Sequence, residues 1–330
     1  MVSTPGFTGS AALVGQFGMP LYGVSGLPPF TGNYFWVNES SGSDGNTGGP
    51  GDPFASLTQA LSACTANNSD VIFLVGSVHV TATVAWNKSK THLIGLSPPS
   101  QNSRARIAIG TAVVSPNAVT PLVNVTAAGC IFQNIEAFNG INQAATQVTW
   151  AEAGGQNSYQ NCNFIQTGHA TAAAQAGSRA LTLASDENLF VGCTIGGDTN
   201  VRATNANYTM ETLVNPVSGL GAARNIFRNC VFQMLSSDAS NAHINVGAGT
   251  IDRYLLLDGC TLIQCIESGQ AAISAGILAS ASSGGAVILT PTTISLGATA
   301  IATTGPVYGV GMNPGGANSA TTNSIAIKFT

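Results

Sequence analysis

Acidic side chains and histidines are the residues in this chain that could carry acid–base chemistry, and they are sparse. The 330 residues include 14 Asp plus Glu and four His, and the densest acids are Asp186, Glu187, Asp252, Asp258 and Glu267. Cleavage of a glycosidic bond commonly needs two carboxyl groups at a defined separation. Asp186 and Glu187 are adjacent, so on a strand they point to opposite faces. Asp258 stands before a glycine, which is typical of a turn. We therefore predict no catalytic residues and a protein that is not an enzyme.

The candidates for metal or base chemistry also have structural explanations. Asp44, Asn46 and Asp52 lie in a loop that could hold calcium, but no Glu follows at the twelfth position that an EF-hand requires. Turn chemistry explains the Asp-Gly-Asn run better. His169 stands alone, and a lone histidine more often has a structural role. We therefore predict no metal ligands and no cofactor.

Arginines and tryptophans could recognise a ligand without catalysing a reaction. Two arginine pairs, Arg104 with Arg106 and Arg224 with Arg228, could hold a carboxylate or a neighbouring protein, although a solvated surface position is the simpler interpretation. Three isolated tryptophans could stack on sugar rings, but such residues are more often part of a core or an interface: Trp36, Trp86 and Trp150.

Cysteines supply the clearest pattern in the chain. Five of the seven recur in one frame, in which Gly or Asn precedes the cysteine and an apolar residue follows two positions later: Cys130, Cys162, Cys193, Cys230 and Cys260. Their intervals are 32, 31, 37 and 30 residues, and a fixed period of roughly 20 to 50 residues is typical of a solenoid. We therefore predict coils of about thirty residues, stacked about 4.8 Å apart with the cysteines in a buried column.

Disulfide formation and metal binding are the alternatives for these cysteines. A disulfide framework needs pairs, and seven is odd. Metal ligands usually cluster, whereas only Cys260 and Cys265 are close in sequence. Packing of reduced thiols is the favoured interpretation.

Residues around each cysteine indicate how the coils turn. The preceding Gly or Asn suits a corner with left-handed backbone geometry. Asn157, Asn188 and Asn225 stand five positions before three of the cysteines. Asparagines in register can stack their amides along the solenoid axis.

Composition excludes several classes of partner. Charged residues make up 7% of the chain, against about a quarter in ordinary soluble domains, and the net charge is −4. Without a basic patch we expect no nucleic-acid binding. The longest apolar runs, such as 71–75, have the length of a strand, so we expect no membrane span. The N-terminus lacks the positive region of a signal peptide, which favours assembly in a cytoplasm.

Patterns along the chain predict three regions. Residues 1–33 are rich in Gly, Pro and Ser and form an N-terminal arm, residues 34–269 form the solenoid, and residues 270–330 form a C-terminal β cap or a subunit-crossing segment. Within the solenoid, a capping helix near residues 53–65 is expected to use Asp52 as its N-cap and Pro53 as its first residue. Three segments without clear alternation are predicted to be loops or insertions: 141–157, 198–222 and 235–243.

The segment 34–49, the segment 52–61 and the strand 70–75 together resemble the start of the pectate-lyase-like parallel β-helix proteins. In that superfamily a V-(D/N)-x-x-x-G-S-D-x-N-x-G loop leads to a Pro-Phe-x-(T/S)-Leu helix and a first strand. The version here is similar to β-helix proteins among the structural genes of tailed bacteriophages, over roughly residues 34–270. The resemblance implies an all-β, single-stranded right-handed parallel β-helix with an N-terminal capping α-helix.

The same resemblance, with the low charge and the missing signal, favours a structural protein of a virus particle. We expect a capsid decoration or cement protein that stabilises the head, binds the major capsid protein and copies of itself as a homotrimer, and is part of the virion. The alternative is a receptor-binding tailspike or fibre protein that binds or cleaves a polysaccharide. Both remain open because the superfamily includes lyases and hydrolases as well as inert capsid proteins. A glycan is expected as a partner only in the tailspike or fibre alternative.

Overall fold

Eight successive coils of the protein each contribute one strand to each of three β-sheets. The structure is a computed structural model, and it describes residues 32–97, 105–109, 119–142, 144–166, 168–203, 206–265, 270, 272–303, 305–310 and 326–328. Glu267, Arg104 and nearly all of the predicted N-terminal arm lie outside the described residues.

The three sheets contain eleven, eight and eight strands. Sheet 1 contains β1 (Tyr34–Val37), β2 (Val71–Leu74), β5 (His92–Gly95), β8 (Ile131–Gln133), β11 (Ser158–Gln160), β14 (Leu189–Val191), β17 (Asn225–Arg228), β20 (Tyr254–Asp258), β23 (Ala286–Leu289), β26 (Val307–Val310) and β27 (Ala326–Lys328). Sheet 2 contains β3 (Ser77–Val80), β6 (Arg106–Ile109), β9 (Glu136–Phe138), β12 (Asn163–Ile165), β15 (Thr194–Arg202), β18 (Val231–Ser236), β21 (Thr261–Gln264) and β24 (Ile294–Leu296). Sheet 3 contains β4 (Val84–Trp86), β7 (Val123–Val125), β10 (Val148–Glu152), β13 (Arg179–Leu183), β16 (Tyr208–Thr212), β19 (Ala242–Val246), β22 (Ile273–Ala279) and β25 (Ala298–Ala302).

Successive coils pair in parallel in all three sheets, and only β27 joins its neighbour β26 in the antiparallel sense among the described strands. This arrangement confirms the predicted right-handed parallel β-helix. No helix among the described residues has the length and apolar character needed to cross a membrane.

A corner of two residues joins sheet 1 to sheet 2 in the central coils. The first residue of each corner has left-handed backbone geometry, with φ between 51° and 65°, at Asn134, Asn161, Gly192, Asn229 and Gly259. Only Gly and, with a small penalty, Asn adopt this geometry readily. The Gly or Asn before each cysteine therefore has the predicted role of turning the chain.

Four cysteines follow these left-handed residues and stack along the axis. The Sγ atoms of Cys162, Cys193, Cys230 and Cys260 lie 3.3–3.5 Å from backbone carbonyl oxygens of the preceding coil. All four are buried and free of disulfides. Each thiol thus fills a small interior space and donates a weak hydrogen bond to the coil below.

Cys130 does not belong to this column, which corrects the predicted set of five. The register pairs Phe132 with Tyr159 in sheet 1, so Cys130 lies before a sheet 1 strand rather than after one. The corner position below Cys162 is occupied by Ile135, which follows the left-handed Asn134. The residue pattern around Cys130 matches that of the other four cysteines but lies at a different corner of its coil. The interval of 32 residues between Cys130 and Cys162 is therefore not the length of a coil.

Aromatic rings stack along the interior of sheet 1. The ring centroids of Phe132, Tyr159, Phe190 and Phe227 are separated by 4.9, 4.4 and 4.3 Å, and consecutive rings are nearly parallel. These rings have no exposed surface. Large buried rings provide much of the burial energy of a core and hold successive coils in register.

Asparagines form the predicted ladder at the corner that leads from sheet 3 back to sheet 1. The backbone N–H of Asn157 donates to Asn188 Oδ1 at 3.1 Å, and that of Asn188 donates to Asn225 Oδ1 at 2.9 Å. These side chains satisfy buried backbone donors that the strands leave unpaired.

The capping helix α1 (Leu57–Ala63) begins four residues later than the sequence pattern predicts. Ser56 is its N-cap and accepts the backbone N–H of Gln59 at 3.1 Å. The expected N-cap, Asp52, instead accepts the backbone N–H of Thr47 at 2.9 Å. Phe54 forms a parallel bridge to Val37, so the backbone at Phe54 pairs with β1 and is not yet helical.

Two further differences from the sequence analysis involve strands of all three sheets. Strands β10, β15, β16, β18 and β19 run through the segments predicted to be loops. Coils also continue beyond residue 269, because β22 to β26 pair in parallel with the preceding coils. Small Ala, Ser and Gly residues replace bulky ones there, but the ladder of backbone hydrogen bonds does not depend on side-chain size.

Candidate functional site

A polar strip on the outward face of sheet 3 is the candidate functional site. The register aligns Leu181 with Met210, which lie in the core, and Thr182 with Glu211 on the opposite face. Glu211 is in turn aligned with Asn245 of the next coil. Because side chains alternate between the two faces of a strand, Thr182, Glu211 and Asn245 form an outward column.

Two neighbouring side chains hold the carboxylate of Glu211. Arg179 Nε is 3.0 Å from Glu211 Oε2, and Asn245 Nδ2 donates to Glu211 Oε1 at 2.8 Å. Arg179 Nη1 donates in addition to the carbonyl oxygens of Ser178 and Ala206, at 2.9 Å each. The arginine is almost completely buried and Glu211 about three-quarters buried, so this charge pair is fixed in position and partly shielded from solvent.

Tyr208 adds a partly exposed aromatic ring to the strip. The guanidinium carbon of Arg179 lies 4.3 Å from the centroid of this ring. Such a cation–π contact fixes the plane of the ring. Burial raises the pKa of Tyr208, with Arg179 lowering it and Glu211 raising it further, so the hydroxyl group stays protonated at neutral pH. We call Arg179, Thr182, Tyr208, Glu211 and Asn245 the polar strip.

An uncharged apolar loop, residues 213–221, follows the strip directly. Asn215 Oδ1 accepts the backbone N–H groups of Val217 and Ser218 at 2.8 and 3.1 Å, and the Asn215 N–H donates to the Leu220 carbonyl at 2.8 Å. The loop is thus internally ordered. It carries four of the six exposed large hydrophobic residues among the described part of the chain: Leu213, Val214, Val217 and Leu220.

A buried arginine supports the strip from within. Arg202 Nη1 donates to Asn207 Oδ1 at 2.5 Å and to the Tyr208 carbonyl at 3.0 Å, and Nη2 donates to Gln166 Oε1 at 2.9 Å. Burial, and secondarily the charge of Arg179, lower the pKa of Arg202 to about 9. Arg202 therefore fixes the backbone from which the Tyr208 ring projects.

The acids singled out from the sequence are dispersed rather than brought together. Glu187 is 2.8 Å from Arg224 Nη2, Asp258 is 2.9 Å from Arg228 Nε, and Asp252 is 3.3 Å from the adjacent Arg253. Exposed pairs of this kind contribute little to stability. Asp186 accepts the backbone N–H of Ala223 at 2.8 Å, which is a turn role.

The other candidate residues have structural contacts. His169 is the N-cap of α2 (Ala170–Ala173) and accepts the Thr171 N–H at 3.1 Å. Asp44 accepts the N–H groups of Ala55 and Ser56, at 3.1 and 2.8 Å, beside the start of α1. Within the described residues, no group of three or more His, Cys, Asp or Glu could hold a metal ion.

The remaining candidates lie in the core, within sheet 2, or in and beside β17 of sheet 1. Trp86 and Trp150 are fully buried, so they offer no platform for a sugar ring. Arg106 Nε is 2.5 Å from Glu136 Oε1 in sheet 2. Arg224 and Arg228 lie on one coil and form separate exposed ion pairs, with Glu187 of the preceding coil and Asp258 of the following coil.

Sequence reasoning missed every residue of the polar strip. Its members come from three different strands, at Arg179, Tyr208 and Asn245 among others. The available signal was the recurrence of polar residues about one coil apart, since Thr182, Glu211 and Asn245 are 29 and 34 residues apart. Glu211 lies within, and Asn245 just after, a segment with no clear alternation, so this spacing did not stand out.

Comparison with solved structures finds the same fold in two proteins of low sequence identity. A rhamnogalacturonan lyase matches with 14% identity and a TM-score of 0.55, over 80% of this chain and 68% of that one. A pectin methylesterase mutant in complex with a hexasaccharide matches with 11% identity and a TM-score of 0.56, over 87% and 91%. No family model and no curated protein matches the chain.

A phage tailspike also matches the chain, at a lower level. Tailspike protein 2 of the Escherichia coli O157:H7 bacteriophage CAB120 matches with 8% identity and a TM-score of 0.35, over 76% of this chain and 37% of that one. Agreement at that level carries no argument about function.

The lyase and the esterase contradict the prediction that the chain is not an enzyme. That prediction depended on missing sequence motifs, whereas the matching backbones share only 11–14% sequence identity with this chain. The likeness itself shows the fold alone. The chain is a right-handed parallel β-helix of the architecture found in rhamnogalacturonan lyase and pectin methylesterase.

Proposed function

We propose that the protein is a carbohydrate-binding β-helix that holds a polysaccharide on the polar strip of sheet 3. The observation that carries the proposal is the set of Arg179, Glu211 and Asn245, joined by hydrogen bonds, beside the partly exposed ring of Tyr208. Guanidinium, carboxylate and amide groups are the partners that sugar hydroxyl and carboxyl groups require, and an aromatic ring suits the apolar face of a sugar. Coil spacing of about 4.8 Å lets a long ligand meet the same kinds of groups repeatedly.

The fold supports a glycan as the class of ligand. One protein of this architecture has been solved with a hexasaccharide bound. In a virus particle, a β-helix that binds polysaccharide would act as a receptor-binding tailspike or fibre, which is the alternative reached from the sequence. Glu211 is the carboxylate that such a site offers for cleavage, and its two oxygens are engaged by Arg179 and Asn245.

Binding to host polysaccharides tests the proposal directly. Affinity electrophoresis and calorimetry with neutral and acidic polysaccharides are expected to reveal a ligand, and reducing ends released over time would report cleavage. Tyr208→Ala and Glu211→Gln are expected to weaken binding about tenfold, equivalent to about 1.4 kcal/mol. Arg228→Gln, on an exposed pair of sheet 1, is the matched control and should bind normally. Equal affinity of all four proteins would contradict the site.

Capsid decoration is a second candidate, and the apolar loop 213–221 favours it. Val217 is 93% exposed at the tip of this ordered, uncharged loop, and ordered exposed apolar groups are typical of protein interfaces. In this case the loop would contact the major capsid protein or other copies in a homotrimer within the virion. Cosedimentation with capsids and measurement of mass in solution test it, with Val217→Asp expected to abolish the association.

A further inference from the structure

The outward face of sheet 1 carries a second hydrophobic cluster at its N-terminal end. Trp36, Val71, Phe73 and Ile94 form this cluster, which is separate from the main core. Their neighbours Ile72, Leu74 and Leu93 point into the core, so these four side chains point away from it. Val71 is nevertheless 0% exposed and Phe73 3% exposed. We call these four residues the outer cluster.

Burial of this face ends after the fourth strand. Gln133 of β8, in register with Ile94, still has no exposed surface. In the same column Gln160, Val191 and Arg228 are partly or fully exposed. Because the backbone geometry of the sheet is the same throughout, the change shows that something covers the outward face over β1, β2, β5 and β8.

The described loop beside β1 does not account for this cover. Residues 39–54 are tied to the free edge of β1, where Trp36 N donates to the Gly48 carbonyl at 2.8 Å and Phe54 N donates to the Trp36 carbonyl at 2.9 Å. Hydrogen bonds in the plane of a sheet place a segment at its edge and not over its face.

We infer that residues 1–31 of the same chain pack on the outer cluster. This segment contains no Asp, Glu, Lys or Arg and is rich in large apolar residues, among them Phe7, Leu13, Phe17 and Phe30. It joins the described structure beside the outer cluster. Asn33 N donates to Asp70 Oδ1 at 2.6 Å, and the Asn33 carbonyl accepts the backbone N–H of Val71, a member of the cluster, at 2.8 Å.

Position and composition disfavour the other segments outside the described residues. Residues 98–104 are short and polar, with one arginine. Residues 110–118 follow β6 in sheet 2. Residues 311–325 follow β26, which is nine strands from β1 in sheet 1 and thus about 43 Å away. The inference does not depend on the proposed function, since the outer cluster and the polar strip are on different sheets.

Quenching of tryptophan fluorescence by acrylamide tests the inference. Trp86 and Trp150 are fully buried, so added quenching reports Trp36. Removing residues 1–31 is expected to increase the quenching constant several-fold, and replacing them with an uncharged Gly/Ser segment of equal length should have the same effect. The peptide 1–31, added in trans, is expected to restore protection. Unchanged quenching in a folded, monomeric 32–330 chain would overturn the inference.

Photo-crosslinking in the full chain keeps the test decisive if the shortened chain does not fold. A benzoylphenylalanine in place of Ile131, at the margin of the outer cluster, is expected to crosslink to residues 1–31. The same group in place of Leu256, further along sheet 1, is the control and should give no such crosslink. With mixed isotope-labelled and unlabelled chains, crosslinks within one chain support the inference. Crosslinks between chains, or to another segment, overturn it.

Discussion

The hydroxyl group of Tyr159 donates a hydrogen bond to Glu152 Oε2 in the interior of the solenoid, where both side chains are fully buried. Glu152 Oε1 also accepts the N–H of Gly155 at 2.9 Å and the hydroxyl of Ser185 at 2.8 Å, and Asn157 Nδ2 is 3.1 Å from both oxygens. Burial raises the pKa of Glu152, while these donors lower it. The carboxyl group joins sheet 3 to the asparagine corner.

Replacement of Glu152 should distinguish its hydrogen bonds from its volume. Glu152→Ala leaves several buried donors without an acceptor, and we expect a loss of about 3–5 kcal/mol in the free energy of unfolding. Glu152→Gln retains one carbonyl acceptor and can donate to the Tyr159 oxygen, so the expected loss is about 1–2 kcal/mol. Urea denaturation at pH 7 measures both, with the outward Ala151→Ser as control. Equal losses in the two variants would contradict this account.

Acid should destabilise the protein through a buried histidine in sheet 3. Burial lowers the pKa of His243 from 6.5 to about 4, with the charge of Arg202 acting in the same direction and the Ile263 carbonyl opposing it. Between pH 6.5 and 4 the unfolded chain binds a proton that the folded chain does not. Stability therefore falls as pH decreases through this window, by at most about 3 kcal/mol.

Measurement of unfolding free energy from pH 7 to pH 4 tests this dependence. His243→Gln should be less stable than the wild type at pH 7, and its stability should depend less on pH. His92, whose pKa burial also lowers to about 4, should behave in the same way. His79→Gln is the control, because this side chain is 47% exposed and lies outside the core. Parallel pH profiles for wild type and His243→Gln would contradict the assignment.

The corner residues were predictable from sequence because each has a local physical cause. Left-handed geometry favours Gly and Asn at the first corner position, and the small space inside the corner favours a thiol. Pairs such as Asn161 with Cys162 can therefore be recognised in the sequence. The same residue pattern led to the wrong prediction that Cys130 belongs to the column, since a pattern of five residues does not specify which corner of the coil it occupies. Only the register between Phe132 and Tyr159 settles that question.

The polar strip could not be predicted because sheet 3 lacks clean alternation. In β16, Thr209 is polar but completely buried, with its hydroxyl 3.3 Å from the Gln233 carbonyl of sheet 2. The corresponding position in β19 is the buried His243. Polar residues therefore occur at covered as well as outward positions, and the period-two pattern that identifies a strand is lost. The pairing of Arg179 with Glu211 also depends on the stacking of two successive coils, since the two residues are 32 positions apart in the sequence.

Thiol reactivity should separate the buried column from the partly exposed cysteine. Burial raises the pKa of Cys193 and Cys230 well above the usual value, and that of Cys64 to about 12. The thiolate is the reactive form, so these groups should be inert in the folded protein. Cys265 is partly exposed. With Ellman's reagent at pH 8 we expect one fast thiol, removed by Cys265→Ser, and seven after unfolding. Rapid reaction of Cys193 in the native state would contradict the packing role.

The asparagine ladder should be sensitive to charge as well as to deletion. Asn188 Oδ1 accepts from the Asn157 N–H, and Asn188 Nδ2 donates to Asn225 Oδ1 at 2.9 Å and to Ser185 Oγ at 3.0 Å. Asn188→Ala removes these partners at a buried corner, and we expect a loss of about 2–3 kcal/mol. Asn188→Asp keeps the acceptor but directs a second, charged oxygen at Asn225 Oδ1, so it should be the more damaging change.

Chemical denaturation at pH 7 orders the ladder variants. The expected order of stability is wild type, then Asn188→Ala, then Asn188→Asp, and lowering the pH should narrow the gap between the two variants as the new carboxyl group becomes protonated. Arg228→Ala provides the control, because its ion pair with Asp258 is exposed and should contribute less than about 1 kcal/mol. If Asn188→Asp were as stable as the wild type at pH 7, the side-chain amide of Asn188 would not be donating to Asn225 Oδ1. The ladder would then consist only of backbone N–H groups donating to side-chain oxygens.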